Sequence, residues 1–456
     1  MYLFVHTFTR RTSANSTIIT KSTIPIFPRS NEYESNRLLK LLTHHLSHTS
    51  IIRDADGIPF ANPSPSLRFS SFTSLYTAGN RSYEAAVYRL GHALFDDIDL
   101  NLSPAAGVTV DIRNRIAWVR RKAALSAWLE EAVAPSVDAS LKANPSNNSS
   151  LKAYILLTGN QVEKACEEAM DGGNMKLATL ISQAAGDFEF REDLRAQLQV
   201  WREQKVDVHV DVGVRKVYAL LAGMLDVVEG SNGTGLERCK DVDIFEGLDW
   251  KRAFGVHLWF AEPMDAPIAQ VFESYDRQRI EFPERVMGPR TWYTEHPPSP
   301  SSLKNHWNLL PSSSTPDALF SLIRLHSDPA CSLSQIFDPL SFGSSPLDYS
   351  IPWHLYIILS RCMRVRDFSD RSDPGVLVEE DVATDDRVEG HSPSADLLAS
   401  GYALQLENLG LLQEAVFVLL HIEGSAGYVV VFYLYDPTDT AIGVRRLSRT
   451  YWLDRL

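Results

Sequence analysis

Cysteine is scarce in this 456-residue chain: Cys166, Cys239, Cys331 and Cys362 lie far apart, with no CxxC pair and no Cys/His cluster at zinc spacing. That spacing excludes a disulfide scaffold and a zinc module. It fits a reducing compartment in which the thiols serve as small core residues. Long apolar runs are lacking as well. The longest, Tyr428 to Tyr435, falls far short of the ~18 residues that cross a bilayer, so no transmembrane segment is expected. Positive charge is in the minority, since 44 Lys and Arg face 57 Asp and Glu for a formal charge of -13. Phosphate backbones are held by clustered cations, so direct nucleic-acid contact is not expected either. Acidic residues, conversely, are missing from the first 31 positions, which carry Arg10, Arg11, Lys21 and Arg29 among many Ser and Thr. That is the composition of an organellar transit peptide, or of a disordered basic arm.

Catalytic motifs are absent: there is no GxSxG elbow, no HExxH and no GxxxxGK[ST]. Gly230 to Gly235 is Gly-rich, but it follows a helical pattern and has no phosphate-loop lysine, so it reads as a surface loop. His44 and His48 share a helix face at i, i+4, yet no third ligand stands near, and a polar helix surface is the better reading. The acidic groups Glu379-Glu380-Asp381 and Asp385-Asp386 lack the spacing of a calcium loop. No metal, no cofactor and no enzymatic activity is expected.

What the chain does have is apolar residues at helical spacing, segment after segment from Leu67 onward. Tyr83, Val87, Leu90 and Leu94 form one face, and Ile112, Ile116, Val119 and Ala123 another. Val162, Ala165, Cys166 and Ala169 are stopped by Asp171-Gly-Gly-Asn174, and Leu177, Leu180, Ile181 and Ala184 follow. So short a Gly-rich turn predicts an antiparallel helical hairpin. Val214, Val217, Tyr218, Leu221 and Leu225, then Trp250, Phe254, His257 and Ala261, continue the pattern. A second tight hairpin is predicted around Gly410. Two stretches break the rhythm. Residues 291–350 hold 8 Pro and 14 Ser, which reads as an irregular crossing, and 365–389 hold nine acidic against three basic residues, which reads as a solvated loop. With hardly a strand expected, the fold class is all-α, an irregular folded-back α-solenoid without a strict repeat.

The order of several motifs along this pattern resembles the nucleoporin 96 family. They include Phe69-Ser-Ser-Phe72 with Tyr76, Glu84 to Asp96, Arg121 to Glu130 and Gly172 to Gly186. Further on come Val217 to Gly223, Asp249 to Trp259, Pro346 to Tyr349 with Trp353-His-Leu355, His391 to Ser394, Tyr402 to Gly410 and Phe417 to Ile422. The resemblance implies a structural scaffold subunit in the Y-shaped subcomplex of the nuclear pore, at the nuclear envelope, supporting mRNA and protein transport. It also implies a trunk, a crown and a partial tail, a fold shared with vesicle-coat proteins. A cytosolic coat or tethering adaptor is therefore the rival reading. The partners implied are another helical nucleoporin at the crown and a small WD-repeat β-propeller near the amino end.

On this reading residues 1–66 are an irregular arm, 67–424 the solenoid with its crown at about 151–230, and 425–456 an atypical segment rich in β-branched residues. No strand series is expected before Leu67 to complete the propeller, and neither Phe-Gly repeats nor a His-Phe-Ser cleavage sequence occurs. An incomplete tail is expected from the carboxyl end. Met175, Leu177, Leu180 and Ile181 of the crown hairpin are the candidate partner-binding residues, the rival being that they are core. Among the Ser-Pro dipeptides, Ser345 and Ser392 are the candidate phosphorylation sites.

Overall fold

In a computed structural model the described residues are 3–13, 16–26, 31–53, 59–100, 109–144, 148–184, 186–233, 238–295, 315–370, 392–422, 431–432 and 445–446. Their elements run β1 (Leu3–Ser13), β2 (Ser16–Ile26), α1 (Asn31–Ser47), β3 (Thr49–Arg53), β4 (Pro59–Pro63), α2 (Phe69–Thr73), α3 (Tyr83–Phe95) and α4 (Val110–Ala143). Then come α5 (Ser149–Leu157), α6 (Val162–Asp171), α7 (Met175–Ile181), α8 (Phe188–Glu203), α9 (Val212–Leu221), α10 (Trp250–Val256), α11 (Ile268–Glu281) and α12 (Trp292–Glu295). Last are α13 (Ala318–Ser327), α14 (Pro339–Phe342), α15 (Ser350–Tyr356), α16 (Pro393–Asn408), α17 (Leu412–Leu419), β5 (Val431–Phe432) and β6 (Arg445–Arg446). The class is all-α, with only two-stranded hairpins beside the helices among the described residues.

Helix ends follow the capping rules. Ser82, Thr109, Asn148, Asn174, Asp187, Asp211, Asp249, Asp317 and Ser392 each accept a hydrogen bond from a backbone N–H in the first turn of the helix that follows. Each cap satisfies donors that the helix itself leaves unpaired.

The chain divides into two units, each assembled from separate stretches. The central unit comprises 73–290 and 316–331. Its core holds Val87, Leu90, Leu125, Leu129, Trp250, Phe254, Tyr275 and Phe320. α13 lies between α3 and α11, and Asp317 at its start accepts a hydrogen bond from the buried hydroxyl of Tyr83. Burial and the neighbouring carboxylate push the Tyr83 phenol well above its ordinary range. Arg252 is buried here, donating to Thr158 Oγ1 and, at 2.8 Å, to Ser140 Oγ, so its charge is met by neutral acceptors.

The terminal unit comprises 1–72, 291–315 and 332–456. At its heart three buried histidines meet: His45 of α1, His354 of α15 and His421 just after α17. His45 Nδ1 lies 3.0 Å from His354 Nδ1, His45 stacks on Trp353 at 4.9 Å, and the ring centroids of His45 and His421 are 5.2 Å apart. Phe72, Tyr402 and Phe417 close the cluster. Burial and the adjacent histidines hold His45 well below its ordinary pKa, and His354 falls to about 3 for the same reasons. Arg37 of α1 reaches Asp348 at 3.0 Å, a second tie between α1 and the distal helices.

Several expectations change. Residues 1–66 are not an irregular arm: β1 pairs antiparallel with β2 from Leu3 opposite Ile26, β3 pairs with β4, and α1 buries Leu38, Leu41 and Leu42. The stretch 67–424 is shared between the two units: its distal helices group with α1 and its middle forms the other unit. The crossing at 291–350 carries the short helices α12 and α14 as well as α13; residues 296–314 lie outside the described residues. Most of the acidic loop, 371–391, and most of 425–456 lie outside them too.

Candidate partner-binding surface

The predicted hairpin around Gly172 is present, and its turn explains the sequence there. Gly173 sits at φ +76, a backbone region that only glycine enters freely, and Asn174 caps α7 by accepting from Leu177 N at 3.1 Å. Ala165 and Ala169 of α6 pack against α7, and Lys152 of α5 pairs with Glu168 at 3.1 Å. α9 closes on α5 at Gly213, where a Cβ would lie 2.4 Å from the backbone nitrogen of Leu151. No side chain fits at that crossing, so the close contact of the two helices depends on glycine.

This packing separates the four candidate residues. Leu177 and Ile181 are core, at 1% and 0% exposure, on a helix that packs against α6 and α9. They cannot form an outer surface, and that part of the sequence reading is corrected. Met175 is 62% exposed and Leu180 is half-buried. The sequence reading did not select Met170 at the end of α6 or Phe188 at the start of α8, at 44% and 72% exposure. The outward apolar residues of this segment are therefore Met170, Met175 and Phe188, two of them flanking the Gly172 turn. A solvent-facing large apolar side chain next to a turn was the signal to look for.

The two Ser-Pro sites also part. Ser345 is exposed in the loop between α14 and α15. Ser392 is fully buried: its hydroxyl donates to Asp370 Oδ1 at 2.7 Å and accepts from Ala395 N at 3.2 Å as the cap of α16. Its oxygen is committed to structure, so a kinase cannot reach it in the folded protein. His44 and His48, the metal candidates, are engaged elsewhere: His44 Nε2 meets Ser71 Oγ at 3.0 Å and His48 Nδ1 meets the His44 carbonyl at 2.9 Å. Among the described residues no group of three His, Cys, Asp or Glu is placed to hold a metal ion, and no helix is long and apolar enough to cross a membrane.

These outward residues lie on helix faces of a capped, all-α chain. Over residues 151–428 the chain matches the family model described as nuclear protein 96, Nup96, and it belongs to that family. It is 29% identical over 385 residues to nucleoporin nup189 of Schizosaccharomyces pombe, covering 84% of this chain and 20% of that one. It is 28% identical over 306 residues to nuclear pore complex protein NUP96 of Arabidopsis thaliana, covering 66% of this chain and 25% of that one. With nucleoporin NUP145 of Chaetomium thermophilum it shares 38% identity over 127 residues, covering 27% of this chain and 7% of that one. The chain thus spans a quarter or less of the length of these relatives.

Proposed function

We propose that the protein is a structural subunit of the nuclear pore complex, a nucleoporin of the Y-shaped subcomplex that works by holding partners on helical surfaces. The observation that carries this reading is the family match across α5 to α17, the helices that build both units around named core residues. Relatives bearing nuclear-pore names support the location at the nuclear envelope. Support for transport of mRNA and protein through the pore follows from that place, and no catalytic role is assigned.

Two contacts are proposed. The α6–α8 surface, with Met170, Met175 and Phe188 outward, receives another helical nucleoporin. A small WD-repeat β-propeller is received near the amino end, where the β1–β2 hairpin supplies the paired strands that the sequence reading did not expect. The test is co-elution of the purified chain with the helical nucleoporin, with a fluorescent fusion imaged in cells. A larger complex and a nuclear rim are expected. Independent elution at micromolar concentration, or vesicular puncta without a rim, would overturn the reading.

A further inference from the structure

Helix α4 presents its most regular apolar stripe to solvent. Its core face is the line Lys122, Leu125, Leu129 and Val133, all buried. Lys122 donates to the Pro263 carbonyl at 2.6 Å, and burial lowers its ammonium to about 8. Before Lys122 the helix runs on for three turns, and none of Val110 to Arg121 is buried. The stripe Ile112, Ile116, Val119 and Ala123 lies about a third of a turn round the axis from the core line at 3.6 residues per turn. Ile112 is 51% exposed, Ala123 is exposed, and Ile116 and Val119 are half-buried.

Arginines border this stripe. Arg113 and Arg120, seven residues apart, run along one edge and Arg115 along the other, in a chain whose formal charge is -13. Arg115 pairs with Asp265 and Arg120 donates to the Asp99 carbonyl, while Arg113 makes no ion pair among the described residues. An aliphatic seam edged by cations is the half-interface of a heptad-type helix pair, whose complement is a seam edged by carboxylates.

We propose that the outward face of α4 docks an amphipathic helix from another polypeptide, one with an aliphatic stripe flanked by Asp and Glu. Its apolar side chains cover Ile112, Ile116 and Val119, and its carboxylates pair with Arg113 and Arg120. This surface is separate from the α6–α8 surface, so either can fail alone.

The test uses the full chain and a fluorescent helical peptide of about four heptads, with Leu and Ile in the seam and Glu on both edges. A twin peptide carries Lys at those edges. The acidic peptide is expected to bind and to weaken as salt rises, with the Lys peptide at least about tenfold weaker. Ile112→Asp with Ile116→Asp should weaken the acidic peptide about tenfold or more at unchanged circular dichroism. Arg113→Glu, which leaves the apolar stripe intact, should narrow the preference between the two peptides. Equal binding of both peptides, or no binding, overturns the proposal. So does sedimentation with phosphatidylcholine–phosphatidylserine vesicles without peptide binding, which assigns the face to a membrane. Self-association lost in the Ile112/Ile116 variant assigns it to a second copy and overturns the proposal as well.

Discussion

The three buried histidines make the terminal unit sensitive to acid. In the native state burial favours the neutral imidazole of His45 and His354, while the unfolded chain takes up protons near pH 6.5. The unfolded state therefore binds more protons below that pH, so stability is complete above about pH 6.5 and declines as pH falls toward about 3. Each such histidine contributes a slope of up to ~1.4 kcal/mol per pH unit within that window. Urea midpoints measured from pH 7.5 to 4.5 should fall steadily, and His354→Phe should flatten the dependence. A parallel slope in the variant would show that other groups set it. Two further predictions belong to single residues. Leu177→Asp should unfold the α5–α9 segment, at a cost of about 3 kcal/mol or more for a buried unpaired carboxylate, whereas Met175→Asp should leave the melting temperature within a degree or two. Ser392→Ala should cost about 1 kcal/mol through the lost cap of α16, read by thermal melting, and a proline-directed kinase should label Ser345 and leave Ser392 unlabelled.

At the scale of the element, periodicity was a sound guide to helices and a poor guide to which side they bury. The α6–α7 hairpin was legible down to its turn, because Gly-Gly-Asn can only be punctuation there. On α4 the eye goes to Ile112, Ile116, Val119 and Ala123, but the buried line begins with a lysine, Lys122, and so hides in the pattern. A stripe announces that something apolar covers it; it does not say that the cover is the same chain. The amino-terminal hairpins were missed for a different reason. Leu3 to Ile26 is rich in Thr and Ile, a strand signal, but its missing acidic residues read first as a targeting composition. The histidine cluster had no local signature, since His45 and His354 stand 309 residues apart in the sequence.

At the scale of the molecule, a length of 456 residues at roughly 150 per domain suggests about three domains, whereas the chain divides into two interleaved units. The terminal unit takes in both ends of the described chain, and the central unit includes the detached helix α13. Each detached piece carries core residues: Leu38, Leu41 and Leu42 in α1, and Leu319, Phe320 and Leu322 in α13. Deleting 31–47 should therefore expose the distal helices to protease while fragments from 73–290 persist, as gel analysis of a limited digest would show.

The meeting of His45 with His354 also sets a schedule for synthesis. The ribosome delivers α1 first and its distal partners 309 residues later, a wait of about 15 to 60 s at 5–20 residues per second. Throughout that interval His45 lacks its distal partners, while the central unit can close round everything except α13. Nascent chains paused midway should thus be bound by chaperones at their amino-terminal helix, and released only when α15 to α17 leave the exit tunnel.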